Sequence, residues 1–128
     1  MKALLDTHAF LWAVAQPEKL SAKARQAIRN GDNELFLSPA SVWEIATKSR
    51  IGKLPNADRI LEELPAIVLK LRASDLPITR LHAQRAGGYA SAHADPFDRM
   101  LAAQADIEGL TLISKDRALR QFGLELLW

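Results

Sequence analysis

Five short apolar segments, separated by segments with helical periodicity, restrict the fold of this 128-residue chain more than any other feature. They lie at Lys2–Leu5, Glu34–Leu37, near Leu76–Ile78, at Thr111–Ile113 and at Leu124–Leu127. Apolar runs this short are typical of strands buried on both faces of a sheet. Strands that alternate with helices from end to end favour parallel pairing. The pattern therefore predicts an α/β fold with a mainly parallel central sheet.

Several residue pairs mark where the intervening helices begin and end. Ser38-Pro39 and Asp95-Pro96 each combine a helix-capping side chain with a proline suited to the first helical position. The second of these helices is predicted to end at Gly109. A further helical stripe runs from residue 57 to residue 71, and Pro65 is predicted to divide it in two. Gly87-Gly88, followed by small residues, predicts a flexible connection.

Length and composition exclude several classes of protein. A chain of 128 residues fits one domain, so residues 1–128 are predicted to form a single domain. The absence of cysteine excludes disulfides, iron–sulfur clusters, thiolate zinc sites and cysteine nucleophiles. Asp6 and His8 interrupt the first apolar run, and no apolar stretch approaches the roughly 20 residues that span a bilayer. We expect a soluble cytoplasmic protein that makes no contact with a membrane.

Acidic side chains follow the predicted strands at the positions where parallel sheets place their chemistry. Asp6 ends the first strand, and Asp116 lies just beyond the fourth. Asp95 and Asp98 open the helix that precedes the fourth strand, and Glu44 joins them if its own helix leans over the same edge. Because ligands of open parallel sheets bind outside the carboxyl ends of the strands, we expect these acids to face one another.

Each acid also has a purely structural interpretation. Capping of a helix N-terminus is the simpler role for three of them taken singly, namely Asp6, Asp95 and Asp116. Glu44 could close a capping box with Ser41 or pair with Lys48 one helical turn later. Asp98 lies within the first turn of its helix and borders the buried face, so we interpret Asp98 as the ligand and Asp95 as the cap or an outer support.

Carboxylates gathered at one edge repel one another unless a cation lies among them. Hard oxygen ligands of this kind select Mg²⁺ or Mn²⁺, with Asp6 and Asp98 as the predicted ligands. Zinc is disfavoured because the three histidines show no HExxH-type spacing. A divalent ion in a carboxylate site activates water and stabilises the oxygens of a phosphodiester under attack. The acidic set therefore predicts nuclease chemistry.

Other polar residues are secondary candidates. Thr7 and Ser114 are interpreted as caps or as hydroxyls that line the site. Three basic side chains flank the acids in the sequence and could contact RNA phosphates: Lys48, Arg99 and Lys115. Trp12 and Trp43 lie in apolar helical segments, so packing in the core is favoured over stacking on bases.

Five sequence segments together resemble one known family. LLDTHAFLW at the start, SPASVWEIATKSRIGKL, HADPFDRMLAAQA and LTLISKD, with LELLW at the end, resemble the PIN-domain ribonucleases and, among them, the VapC-type toxins of bacterial toxin–antitoxin modules. The motifs span nearly the whole chain. The resemblance implies a three-layer α/β/α fold with a central, mainly parallel sheet. It also implies an endoribonuclease dependent on Mg²⁺ or Mn²⁺.

The same resemblance assigns site residues and partners. It gives metal-site roles to Asp6, Glu44 and Asp98, with Asp116 as a fourth and more variable acid. It implies a cognate antitoxin protein, an RNA substrate and a homodimer. The segment between residues 57 and 71 carries more apolar side chains than one core-facing stripe requires, so it could bind the antitoxin, form the homodimer or be buried on both sides within the domain.

Two alternatives to an enzyme stay open at this point. A phosphoacceptor receiver module shares the length, the alternating topology and an acid after the first strand. It also requires an acceptor aspartate after its middle strand, where this chain has Ser38-Pro39. The second alternative is a PIN-like fold used only for binding, and the presence of all four acids argues against it.

Overall fold

A computed structural model describes residues 1–128 and contains one five-stranded sheet. The strands are β1 (Lys2–Leu5), β2 (Glu34–Leu37), β3 (Ala73–Asp75), β4 (Thr111–Ile113) and β5 (Leu126–Leu127). Their order across the sheet is β3-β2-β1-β4-β5, and every neighbouring pair is parallel. The predicted α/β fold with a parallel central sheet is confirmed.

Seven α-helices connect the strands. They are α1 (Thr7–Ala15), α2 (Ala22–Arg29), α3 (Pro39–Arg50), α4 (Ala57–Glu62), α5 (Leu64–Leu71), α6 (Arg80–Gly88) and α7 (Pro96–Glu108). Two short 3₁₀ helices span Pro17–Lys19 and Arg117–Phe122. No helix is both long enough and apolar enough to pass through a membrane.

The sheet separates two hydrophobic cores, which accounts for the three layers. Successive side chains of a strand point to opposite faces. On β1, Ala3 and Leu5 therefore pack into the core shared with α1 and α2, whereas Leu4 packs into the core built with Leu101 of α7. All three β1 side chains are fully buried. The apolar run that opens the sequence is thus the central strand of the fold.

The path of the chain opens a crevice beside the carboxyl end of β1. From β1 the chain moves to β2 and β3 on one side, and it later returns to place β4 and β5 on the other. Connections on opposite sides of adjacent strands leave a gap at their carboxyl ends. The main-chain N–H of Asp6 donates to the carbonyl of Ile113 across this point, at 3.1 Å. Residues that follow β1 and β4 therefore face the crevice.

Two strand predictions differ from the structure. The third strand is Ala73–Asp75 rather than Leu76–Ile78, because Pro77 has no N–H to donate and the polar edge strand lacks an apolar pattern. The last strand contains only Leu126–Leu127 of the predicted 124–127, since Gly123 and the 3₁₀ helix precede it closely. The predicted division at Pro65 is confirmed, as α4 ends at Glu62 and α5 begins at Leu64.

Candidate active site

Asp6 is a buried carboxylate at the carboxyl end of the central strand. It caps α1, and the Ala9 N–H donates to its Oδ1 at 2.7 Å. Only 7% of the residue is exposed. Burial raises the pKa of Asp6 to about 6, although hydrogen bonds from Ser114 and Ala9 oppose the rise. Asp98 contributes a smaller upward shift to this pKa, which places the two carboxylates in the same electrostatic neighbourhood.

Asp98 enters the crevice from the first turn of α7. Burial is the main cause that raises its pKa, and the negative charges of Asp95 and Glu44 add to the rise. A hydrogen bond with His93 opposes it. The His93 Nε2 lies 2.9 Å from Asp98 Oδ2, whereas Oδ1 of the same carboxylate accepts no hydrogen bond from the protein.

Asp95 performs the capping role predicted for it. Its Oδ1 accepts from the main-chain N–H groups of Phe97 at 2.8 Å and Asp98 at 3.1 Å. Pro96 then occupies the first position of α7, as the sequence predicts. The cap leaves the Asp98 side chain free to point into the crevice.

Glu44 reaches the site from α3 and is paired with a cation of the chain itself. Its side chain is almost fully buried, and it accepts a hydrogen bond from Lys48 Nζ one helical turn later. That hydrogen bond is the main cause that raises the pKa of Lys48, and the charges of Asp95 and Asp98 raise it further. We call Asp6, Glu44, Asp95 and Asp98 the acidic cluster. The Lys48 ammonium group offsets part of the negative charge of this cluster.

Hydroxyl groups connect the elements beneath the cluster. Thr7 Oγ1 donates to Ser41 Oγ at 3.0 Å and joins α1 to α3. The buried Ser114 side chain lowers the pKa of Asp6, and it accepts from the main-chain N–H of Asp116 at 3.0 Å. Asp116 itself is exposed and caps the 3₁₀ helix by accepting from the Ala118 N–H. The structure thus relates Asp116 to the cluster through Ser114.

A divalent cation fits a two-carboxylate site here. No three His, Asp or Glu side chains converge as a ready-made metal centre. Mg²⁺ commonly binds through one or two carboxylates and keeps several waters or substrate oxygens. Asp6 and Asp98 supply two hard oxygen donors whose ionised forms are disfavoured by burial and mutual repulsion. A bound cation would relieve both costs, so the residues present suit such an ion.

The basic candidates divide into three situations. Lys48 lies within the acidic cluster, and exposed Lys115 places its Nζ 5.8 Å from the centroid of the half-buried Trp12 ring. Arg99 does not present its guanidinium to the crevice, because main-chain carbonyls of the 86–93 segment occupy its donors. The interpretation of Arg99 as a phosphate contact stays a prediction, and these hydrogen bonds favour a structural role instead. Gly87 and Gly88 also differ from prediction, since they complete α6.

Two further residues depart from the sequence interpretation. His93, which spacing alone did not associate with any acid, bonds Asp98; its place just before the cap of α7 was the available signal. Trp43 was expected in the core, yet 63% of it is exposed and its ring meets Phe97 edge-on at 4.9 Å. Trp12 packs against the core as predicted.

Comparison with known proteins identifies the family. The sequence model of the PIN domain family matches residues 3–124 of this chain. The chain belongs to the PIN-domain family. It is 35% identical over 118 residues to Ribonuclease VapC22 of Mycobacterium tuberculosis, a match that covers 91% of this chain and 88% of that protein.

Solved structures share the PIN-domain fold over nearly the whole chain. VapBC-1 from nontypeable Haemophilus influenzae matches with a TM-score of 0.68 at 20% identity, over 98% of this chain and 96% of that one. VapBC2 from Rickettsia felis, solved with a promoter DNA fragment, matches with a TM-score of 0.67 at 15% identity, over 98% and 97%. The receiver alternative is excluded, because receiver sheets run in the order 2-1-3-4-5 and this sheet does not.

Proposed function

We propose that this PIN-domain chain is an endoribonuclease dependent on Mg²⁺ or Mn²⁺ that acts as the toxin of a toxin–antitoxin pair. The observation that supports the proposal is the electrostatic coupling of buried Asp6, at the end of β1, with Asp98, whose pKa Glu44 also raises. Likeness to Ribonuclease VapC22 supports RNA as the substrate.

The chain's own residues have distinct roles in this proposal. Asp6 and Asp98 would hold the ion, which when bound supplies an activated water and positive charge for the phosphodiester oxygens. Glu44 adds a third carboxylate, and Asp116 lies farther out as a fourth acid. Lys48 pairs with Glu44 and offers an ammonium group to a substrate phosphate at the rim of the cluster.

Supporting residues keep these groups in place. Asp95 caps the first turn of α7, Thr7 joins α1 to α3, and Ser114 lowers the pKa of Asp6. We propose all three as an outer shell that makes no direct contact with substrate. Lys115, which lies on the exposed side of β4's carboxyl end, is proposed to contact an RNA phosphate.

We propose a cognate antitoxin as the protein partner. The two structural neighbours described above are VapBC complexes. In this chain a cavity of about 620 Å³ lies between α1 and the α4–α5 segment, with eight apolar residues among its fifteen. His8 lines the cavity and interacts electrostatically with Asp6, so the cavity adjoins the acidic cluster. An antitoxin segment bound there would approach the carboxylates.

A second copy of the chain is proposed to cover another apolar face. Trp43 on α3 and Ile78 before α6 are exposed, both line one apolar cavity with Phe97, and the Phe97 ring packs against Trp43. Exposed apolar side chains on neighbouring elements are typical of interfaces. We propose a homodimer through this face, in the cytoplasm, leaving the acidic crevice open.

Cleavage of an RNA panel by the purified chain tests the proposed activity. We expect cleavage with Mn²⁺ or Mg²⁺, none with EDTA, and none with the Asp6→Asn variant, whose helix cap is retained because Asn caps as well as Asp. A folded, metal-loaded chain that cuts no RNA would leave the non-catalytic binding module as the better description.

A further inference from the structure

The Arg99 guanidinium hydrogen-bonds to main-chain carbonyls of the segment that precedes α7. Its three nitrogens donate to five carbonyl oxygens, those of Ala86 (2.8 Å), Gly87 (3.5 Å), Tyr89 (2.7 Å), Ser91 (3.0 Å) and His93 (2.8 Å). A planar guanidinium carries five N–H donors in a fixed fork, which a lysine ammonium cannot reproduce. We call this arrangement the Arg99 clamp.

The clamp supplies most of the order of an otherwise irregular segment. Residues 90–94 make no main-chain to main-chain hydrogen bond, and they belong to no helix or strand. Side-chain contacts add to this order, since Ser91 Oγ donates to Gln121 Oε1 and the Tyr89 hydroxyl donates to Asp106 Oδ2 at 3.4 Å. The His93 N–H donates to Ser91 Oγ at 3.1 Å, and the Tyr89 ring packs on Phe122. Removal of the guanidinium would leave carbonyls of this segment without partners in the protein.

The segment carries the imidazole that bonds Asp98. His93 meets Phe122 edge-on at 5.7 Å, and its Nε2 reaches Asp98 Oδ2. A neutral imidazole that bonds a carboxylate through Nε2 donates that N–H. Arg99 directly follows Asp98 in α7, so one helix turn presents both the carboxylate and the clamp.

We propose that Arg99 is a positioning residue for the active site. Arg99 donates to the carbonyl of His93, His93 bonds Oδ2 of Asp98, and Oδ1 keeps no hydrogen-bond partner in the protein. Outer hydrogen bonds of this kind orient ligating carboxylates, and their loss typically weakens metal binding or activity about 10- to 100-fold. The catalytic consequence rests on the proposed function, whereas the placement of His93 does not.

The three histidines provide a direct test by NMR of the imidazole C–H signals of the full chain. His8 is exposed. His82, on α6, is buried and hydrogen-bonds Glu108 of α7, and His93 belongs to the segment held by the Arg99 clamp. We expect Arg99→Lys to shift or broaden the His93 signal while His8 and His82 keep theirs. The matched control is Arg85→Lys on α6, which alters an arginine paired with Asp106 outside the clamp. It should leave all three signals unchanged.

Mn²⁺ binding measured by calorimetry shows whether Arg99 acts through His93. We expect Arg99→Lys and His93→Ala each to weaken binding at least tenfold, and the double variant to be no more than about threefold weaker than His93→Ala alone. Losses that multiply in the double variant would overturn the proposal. The same is true of an unchanged His93 signal in Arg99→Lys, a result that would return Arg99 to direct RNA contact if cleavage nevertheless fell.

The design separates this proposal from the proposed function. If the wild-type chain cuts no RNA while Arg99→Lys displaces His93 and weakens Mn²⁺ binding, the positioning role stands and the ribonuclease proposal fails. If Arg99→Lys unfolds, seen as a shifted His82 signal, His93→Ala alone decides, because it keeps the carbonyl that Arg99 binds. Unchanged Mn²⁺ affinity in that variant would refute the positioning role.

Discussion

Lys48 and Glu44 form a hydrogen-bonded ion pair one helical turn apart on α3, with the carboxylate buried and the lysine side chain 30% exposed. The ammonium group is also attracted by Asp95 and Asp98 from the other side of the crevice. The acidic cluster therefore contains one cation of its own before any metal binds. This pairing explains how a buried glutamate is tolerated in α3.

Loss of Lys48 is expected to destabilise the fold through its partner. Lys48→Met leaves the Glu44 carboxylate buried without its hydrogen bond, at a cost of about 2 kcal/mol. Glu44→Gln combined with Lys48→Met removes both charges and should lose less than Lys48→Met alone. Urea unfolding in EDTA at pH 7.5 measures the double variant and the two single variants, Lys48→Met and Glu44→Gln. A double variant as unstable as the sum of the single variants would contradict the coupling.

The free energy of unfolding should depend on pH through Asp6. Its pKa is about 6 in the folded chain and near 4 when unfolded, so the folded state binds more protons between these values. The contribution of this group is therefore greatest at low pH and is lost as pH rises from about 4 to about 6. Two pKa units correspond to about 3 kcal/mol, an upper bound for this buried group.

Asp6→Asn isolates that contribution. In EDTA at pH 7.5 the variant should be more stable than the wild type by up to about 3 kcal/mol, and the difference should shrink below pH 5. Asp116→Asn is the matched control, because Asp116 is an exposed cap outside the acidic cluster. Urea titrations between pH 4.5 and pH 8 give the difference. If the wild type instead became more stable relative to Asp6→Asn as pH rises, the result would contradict the raised pKa of Asp6.

Asp98→Asn should separate stability from function. Neutralising this half-buried carboxylate, which Asp95 and Glu44 repel, should keep or raise the thermal stability of the metal-free chain. The same change removes a proposed ligand, so both the stabilisation by Mn²⁺ and RNA cleavage should disappear. When free Mn²⁺ is at 100 times its Kd, binding should raise the free energy of unfolding of the wild type by about 2.7 kcal/mol. Melting curves with and without Mn²⁺ detect a change of this size. An Asp98→Asn variant that is less stable than the wild type but keeps its specific activity would refute this assignment.

The neighbouring acids of α7 should differ sharply. Asp95→Asn keeps an oxygen that accepts from Phe97 and Asp98, so cleavage should fall only a few-fold. Asp98→Asn should reduce cleavage at least 100-fold. Initial rates on one RNA with saturating Mn²⁺ compare them. Equal and severe losses would make Asp95 a direct ligand.

Local chemistry made much of this architecture predictable. The run at Lys2–Leu5 and the pairs Ser38-Pro39 and Asp95-Pro96 specify their elements through side chains adjacent in sequence. The third strand was misplaced because an edge strand with two exposed polar residues is held by main-chain pairing with β2, which leaves no apolar pattern.

The site was predictable only where an acid follows a strand or caps a helix. Asp6 follows β1 and caps α1, Asp95 caps α7, and Asp98 lies in the first turn after that cap. The roles of His93 and Arg99 depend on the tertiary path of residues 86–94, which no periodicity encodes. Trp43 was misassigned because helical periodicity shows which residues share a face but not whether another element covers that face.

The antitoxin proposal predicts that toxicity and its relief can be separated. Expression of the chain alone should arrest bacterial growth, and co-expression of the small gene adjacent to its own should restore it. Ile60 lines the cavity between α1 and α4, whereas Leu69 on α5 is 79% exposed and lies outside it. Ile60→Ser should therefore remain toxic and escape the antitoxin, whereas Leu69→Ser should remain toxic and be rescued. Growth curves, with circular dichroism to confirm folding, measure the difference. Rescue of both variants would show that the antitoxin does not bind at this cavity. Unimpaired growth with abundant folded, metal-loaded wild-type chain would count against a toxin.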